Sequence, residues 1–250
     1  MKTYKTNEIA HLTGVHPNTV RFYEDVGFIT PPERGKNGYR IFTELHRKQM
    51  ELARLAMRAE VLQNGLRKKA IQVVRLCAAL DFERAVISAR EYEAMLVHEM
   101  ENAKAAIASV EDILTGKHRP GDIPLRRREA AERMGVTMDT LRNWELNGLI
   151  TVKRRENGYR FYDASDLECL NIIRTLRCAN YSLSAILRLM SHLKNDKTAS
   201  VEKILNTPTD REDVVSVCDR LILALENTRK DAVEMTAMLT EIKGKFKTLQ

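Results

Sequence analysis

Residues 8–30 read EIAHLTGVHPNTVRFYEDVGFIT and residues 129–151 read EAAERMGVTMDTLRNWELNGLIT. Further on, NGYRIF at 37–42 matches NGYRFY at 157–162, with a register slip of one residue. Fifteen identities fall between residues 4 and 42 and their counterparts, so the chain contains a duplicated module. Each copy predicts a short helix, a tight turn at Gly14 or Gly135, a second helix, and a stop at Gly27 or Gly148. Ile9, Ala10, Leu12, Val15 and Val20 supply one apolar face, and Ala130, Ala131, Met134, Val136 and Leu141 supply the other. A three- or four-residue turn needs one backbone position where a Cβ would clash, which glycine satisfies. Pro17 falls in the first turn of its helix, where a missing N–H costs nothing. After Pro31 and Pro32, Asn-Gly predicts a type I′ hairpin turn between two short strands. The expected fold is mainly α, with two winged helix-turn-helix domains, short β-hairpin wings and a long coiled-coil helix after each domain.

The charge pattern points to nucleic acid. The 250 residues carry 41 Lys and Arg against 34 Asp and Glu, a formal charge of +7. Residues 1–58 hold 10 basic and 6 acidic side chains and residues 115–188 hold 14 and 9, whereas 81–114 reverses to 3 and 8. Two basic blocks around an acidic one suit two DNA-facing modules and a helix that faces elsewhere. Tyr39 and Arg40, with Tyr159 and Arg160, are placed to lie on a phosphate backbone while the second helix enters the major groove. Arg126, Arg127 and Arg128 precede the second module and suit nonspecific phosphate contact.

A helix-turn-helix spelled T(V/L)R-aromatic-E or its variant, followed by NGYR, resembles the DNA-binding domain of the MerR family of bacterial transcriptional regulators. The resemblance covers about residues 1–72 and 123–193. The second copy departs from it with Asn143-Trp144 where the first has Phe22-Tyr23, and Met138 where the first has Pro17. The resemblance implies DNA contacts from Thr19, Arg21, Tyr23, Tyr39 and Arg40, and from Thr140, Arg142, Tyr159 and Arg160, with Trp144 beside them. His16, Asn18, Lys36, Thr137 and Arg155 complete the candidate set. Two alternatives stay open: Tyr23 and Trp144 as core aromatics holding the wing, and the arginines as ion-pair partners of Glu24 or Glu145. The resemblance also implies RNA polymerase as a partner and a mechanism of bending and untwisting promoter DNA. A low-specificity architectural DNA-binding protein with no effector shares the same features.

Apolar residues at alternating steps of three and four run from Phe82 through Ala85, Ala89, Tyr92, Leu96, Ala103, Ala106 and Val110 to Ile113, with Glu99 breaking the seam. A second seam runs from Val214 through Cys218, Leu221, Leu225, Thr228, Ala232, Met235, Leu239, Ile242 and Phe246 to Leu249. Both are heptad helices. The expected organisation is a first domain at 1–76, a coiled helix at 77–116, a linker at 117–122, a second domain at 123–193, a connecting segment at 194–211 and a second coiled helix at 212–250. In the resembled family such helices pair antiparallel between subunits. Here the chain is able to pair with itself as a pseudo-dimer reading two unlike half-sites, or to pair with a second copy as a homodimer.

Other classes find little support. The sequence has no P-loop, GxGxxG, GxSxG or HExxH, so an enzyme is not expected. Four cysteines, at 77, 169, 178 and 218, form no CxxC pair and read as buried thiols in a reducing compartment. Cys77 stands near the start of a coiled helix whose far end offers only His118, so no metal and no cofactor is expected. A small-molecule effector is not written in the residues; Tyr92, Met95, Met100 and Met235 at helical spacing read as core. With no apolar run near 18 residues and no signal-peptide core at the start, the expectation is a cytoplasmic protein with no membrane partner.

Overall fold

The computed structural model describes residues 2–58, 65–115, 124–152, 160–193, 200–207 and 220–246. The chain divides into two compact units, residues 1–98 with 225–250, and residues 99–224. The first contains β1 (Thr3–Tyr4), α1 (Thr6–Thr13), α2 (Pro17–Asp25), β2 (Glu33–Arg34), β3 (Arg40–Thr43), α3 (Glu44–Met57), α4 (Leu66–Ala78) and the start of α5 (Phe82–Leu114). The second contains β4 (Leu125–Arg126), α6 (Arg127–Met134), α7 (Met138–Leu146), β5 (Phe161–Tyr162), α8 (Ala164–Cys178), α9 (Leu183–Leu193) and α10 (Val201–Asn206). The last helix, α11 (Leu221–Phe246), contributes most of its length to the first unit.

In the first unit, α1 ends because Gly14 adopts a left-handed conformation at φ 62°, and Gly135 ends α6 in the same way. In both turns the next valine reaches back, with the Val15 N–H donating to the Ala10 carbonyl and the Val136 N–H to that of Ala131. Leu12 does not join the core; it is 51% exposed, and Thr13 is buried instead with its hydroxyl donating to the Ile9 carbonyl at 2.8 Å. The aligned copy has Arg133 at the position of Leu12 and Met134 at that of Thr13, which fits the observed facing. Pro17 opens α2 behind the His16 cap, as expected. β3 pairs with β1 through Tyr4 and Phe42 and with β2 through Glu33 and Ile41, so the wing is anchored to the chain start.

The wing turn differs from the type I′ expectation. The Gly38 N–H donates to the Gly35 carbonyl and the Gly35 N–H to the Tyr39 carbonyl, while φ is positive at Gly38 and not at Asn37. This is a three-residue loop in which a left-handed glycine follows an ordinary turn.

The helix α5 begins at Phe82 rather than at 77. Leu80 takes φ 64°, which interrupts the helical path, and Asp81 accepts the Arg84 N–H at 3.2 Å to start the new helix. Within the first unit, Phe82, Ala85, Ala89, Tyr92 and Leu96 are buried, as are Leu225, Ala232, Met235, Leu239, Ile242 and Phe246 of α11. Burying each large side chain of this kind contributes about 1.5–3 kcal/mol. The rims are joined by Lys243 to Glu83 at 2.7 Å and Arg229 to Glu93 at 3.5 Å, so numbers rise along one helix as they fall along the other. The two helices therefore run antiparallel within one chain. From α3, Lys48 reaches Glu241 at 3.1 Å, and Arg58, just past its end, reaches Asp231 at 2.8 Å.

In the second unit, β4 and β5 pair through Leu125 and Tyr162. Ala103, Ile107, Val110 and Ile113 of α5 share one core with Leu141, Trp144, Tyr162, Leu170, Ile173, Tyr181 and Leu189. Glu99, the break in the seam, accepts a hydrogen bond from the Asn180 side chain at 3.3 Å. The expected linker at 117–122 lies outside the described residues, as do the seam positions Val214, Cys218 and Leu249; α10 falls within the expected connecting segment.

Candidate nucleic-acid interface

The second helices of the two modules have the same length and the same facing. In α2 the residues Val20 and Tyr23 are buried, and Asn18, Arg21, Phe22 and Asp25 are exposed. In α7 the buried pair is Leu141 and Trp144, and the exposed residues are Met138, Asp139, Arg142, Asn143 and Leu146. Positions i, i+3, i+4 and i+7 form one helical stripe, so both helices present the same four positions outward around a shared arginine, with Met138 exposed besides them at the start of α7. His16 and Thr137 cap the two helices: the His16 ring accepts from the Asn18 N–H at 3.2 Å, and the Thr137 hydroxyl from the Thr140 N–H at 3.1 Å. Thr19 and Thr140 are half-buried on the flank. Arg21 donates to the Asn18 side-chain oxygen at 2.9 Å, which holds the guanidinium on the stripe.

Tyr23 and Trp144 are 7% and 5% exposed. Both are core aromatics, which is the alternative the sequence left open for them: the ring of Tyr23 packs against Phe28 with centroids 5.5 Å apart, and Trp144 belongs to the second core. The outward residue beside each is Phe22, 55% exposed, and Asn143. Neither was in the candidate set, although the spacing from the shared arginine carries the signal.

The wing arginines are turned toward the recognition helices. Arg40 Nε meets Glu24 at 2.5 Å, and Arg160 meets Glu145 at 3.0 Å. Arg127 also reaches Glu145, with contacts of 3.0 and 2.8 Å, and the Tyr162 hydroxyl donates to the same carboxylate. Arg40 and Arg160 thus adopt the ion-pair alternative that the sequence left open, and Arg127 joins Arg160 on one carboxylate, so these residues tie wing and module start to the helix. The hydrogen bonds of Arg127 with Tyr162 and Glu145 raise its pKa, and burial followed by the Glu145 bond pushes the Tyr162 hydroxyl up to about 12. Arg126 is exposed, and its N–H caps onto Glu129 at 2.7 Å. Lys36 is exposed at the wing tip and Tyr39 is 73% exposed beside it. Together with Lys5, Asn7 and Arg21, Tyr39 and Arg40 line a cleft of about 630 Å³ between α1, α2 and the wing. Arg155 and Tyr159 lie outside the described residues.

Among the described residues no three His, Cys, Asp or Glu side chains gather as a metal site, and no helix is long and apolar enough to cross a membrane. Cys77 is fully buried and its thiol is pushed up to about 12 by that burial, whereas Cys178 is exposed. A thiol shifted this far holds about a thousandfold less thiolate at neutral pH than an ordinary one. Alkylation of the native protein followed by mass spectrometry is expected to modify Cys178 and spare Cys77 until denaturant is added; early loss of the free Cys77 thiol would contradict its burial.

The model of the MerR family regulatory protein matches residues 5–42, and that of the MerR HTH family regulatory protein matches residues 125–193. The HTH-type transcriptional regulator CueR of Escherichia coli O157:H7 is 42% identical over 50 residues, 20% of this chain and 37% of that protein. The HTH-type transcriptional regulator AdhR of Bacillus subtilis is 34% identical over 77 residues, 30% of this chain and 55% of its own length. Nodulation protein NolA of Bradyrhizobium sp. is 33% identical over 129 residues, covering 43% and 54%. The chain spans between about a third and just over half of the length of these relatives. No solved structure matches it significantly. Two matched modules with the same buried and exposed faces lead to one conclusion: the chain carries two MerR-type helix-turn-helix domains.

Proposed function

We propose that the chain is a cytoplasmic, sequence-specific double-stranded DNA-binding transcriptional regulator that reads two unlike half-sites and distorts the promoter DNA between them for RNA polymerase. The observation that carries this reading is the repeated outward stripe around Arg21 and Arg142, each on a helix joined by a part-buried ion pair to Arg40 or Arg160. Exposed Tyr39, Arg21 and the α1 start line a cleft suited to a phosphate backbone, with Lys36 exposed on the wing nearby. The antiparallel contacts of α5 with α11 occupy, within one chain, the face that would otherwise seek a second subunit. This supports the single-chain pseudo-dimer over the homodimer. Bending a site of 20–30 base pairs costs on the order of 1–6 kcal/mol, which contacts on both sides of the bend offset.

The test joins two measurements. Light scattering at low micromolar concentration is expected to give a mass near 28.6 kDa; a value near twice that would refute the pseudo-dimer. Selection from a random duplex pool is expected to enrich an asymmetric site bound about a thousandfold more tightly than random DNA at equal salt. Equal affinity for all duplexes would replace the regulator with an architectural protein.

A further inference from the structure

The duplication supplies an internal comparison, because α2 and α7 share length, turn and core facing and differ in what they present outward. At the position after the shared arginine, α2 has Phe22 and α7 has Asn143. Phe22 is 55% exposed and makes only a tilted contact with Tyr23, at 6.3 Å between centroids. An aromatic ring so exposed contributes little to the fold and has no hydrogen bond to offer a phosphate. The apolar feature of a base edge in the major groove is the thymine 5-methyl group. Asn143 is held differently: the Asn147 side-chain N–H₂ donates to its backbone carbonyl at 2.8 Å and to its side-chain oxygen at 2.5 Å. The amide is thereby oriented, with its own N–H₂ still able to donate and the second lone pair of its oxygen still able to accept. Adenine offers N7 to accept and N6–H₂ to donate; guanine offers two acceptors and would leave the amide oxygen facing O6.

We propose that Phe22 and Asn143 are the specificity-determining pair that makes the two half-sites unlike: Phe22 selects thymine at one step, and Asn143 selects adenine at the equivalent step of the other half-site. The inference rests on the reading of the chain as a DNA-binding regulator. The common arginine keeps the neighbouring step alike in both half-sites, while Asn18 against Asp139 and Asp25 against Leu146 also differ along the stripe, so the assignment concerns the one base pair that Phe22 or Asn143 meets.

The experiment takes the full chain as wild type, as Phe22→Asn, as Asn143→Phe and as the double exchange, and passes each through selection from a random duplex pool. Affinities are then measured on duplexes that differ only as T·A or A·T at the assigned step. Phe22→Asn is expected to reverse the thymine preference of the first half-site by about tenfold, Asn143→Phe to reverse the second, and the double exchange to swap the two preferences at this step alone. Both positions are exposed, so the variants keep the wild-type melting temperature. Wild-type enrichment of a site with no shift of preference in the exchanged variants overturns this assignment while leaving the DNA-binding reading intact. Failure of the wild type to enrich any duplex overturns both.

Discussion

Alanine at both Arg21 and Arg142 is expected to lower affinity for the selected duplex by between about thirtyfold and twenty-thousandfold. An arginine bidentate to guanine is worth about 1–3 kcal/mol of discrimination. The two residues lie in different compact units, so their effects add to about 2–6 kcal/mol. Both are exposed at the same point of their helices, and Arg21 is already oriented by Asn18 at 2.9 Å, so little side-chain freedom is lost on binding. Fluorescence anisotropy over a salt series separates base reading from charge alone. If the arginines read bases, affinity for random duplex changes little; if they only neutralise phosphates, the log-log salt slope falls by about 0.9 for each. Full affinity in the double variant would remove the second helices from the groove.

Much of the fold was legible because the chain states it twice. A repeat with glycines in register identified both helix-turn-helix modules, and steps of three and four located the seams, whose described apolar residues are buried apart from half-buried Leu221. What stayed hidden depended on partners far along the chain. Ion pairs to Glu24 and Glu145 stood only as an alternative, because nothing local decides that Arg40 meets Glu24, 16 residues away, or that Arg127 meets Glu145, 18 away. Adjacent aromatics also defeat composition: Phe22 and Tyr23 have similar bulk, and only the helical phase set by Val20 decides which one turns inward. The interruption before α5 was masked by Leu80, a residue type that rarely takes φ 64°, although Asp81 ahead of Phe82 is an ordinary cap signal. The wing turn was misread because Asn-Gly fits both a two-residue loop and the end of a three-residue one, and the preceding Gly35-Lys36 lengthens the loop.

Glu145→Ala is expected to destabilise the second unit by about 3–5 kcal/mol, the range for removing one partner from a buried ionic cluster. The Glu145 side chain is 7% exposed and receives Arg127, Arg160 and the Tyr162 hydroxyl. Its loss leaves two guanidinium groups and a core hydroxyl facing one another with no anion between them. Glu24→Ala in the first unit should cost about 1 kcal/mol or less, because the Glu24 carboxylate is more exposed than that of Glu145, and Thr6 and Phe42 stand where the second copy has Arg127 and Tyr162. The sole tryptophan of the chain, Trp144, precedes Glu145 in the same core, so its fluorescence during urea unfolding reports on the second unit. Glu145→Ala should move that transition to lower urea, and Glu24→Ala should leave it in place. Adding Arg127→Thr and Tyr162→Phe to Glu145→Ala, as in the first copy, removes the stranded cation and hydroxyl together and should recover part of the loss. A shift below about 1 kcal/mol for Glu145→Ala, or no recovery in the triple variant, would mean that water reaches the cluster and that the wing is held to α7 by packing rather than by this carboxylate.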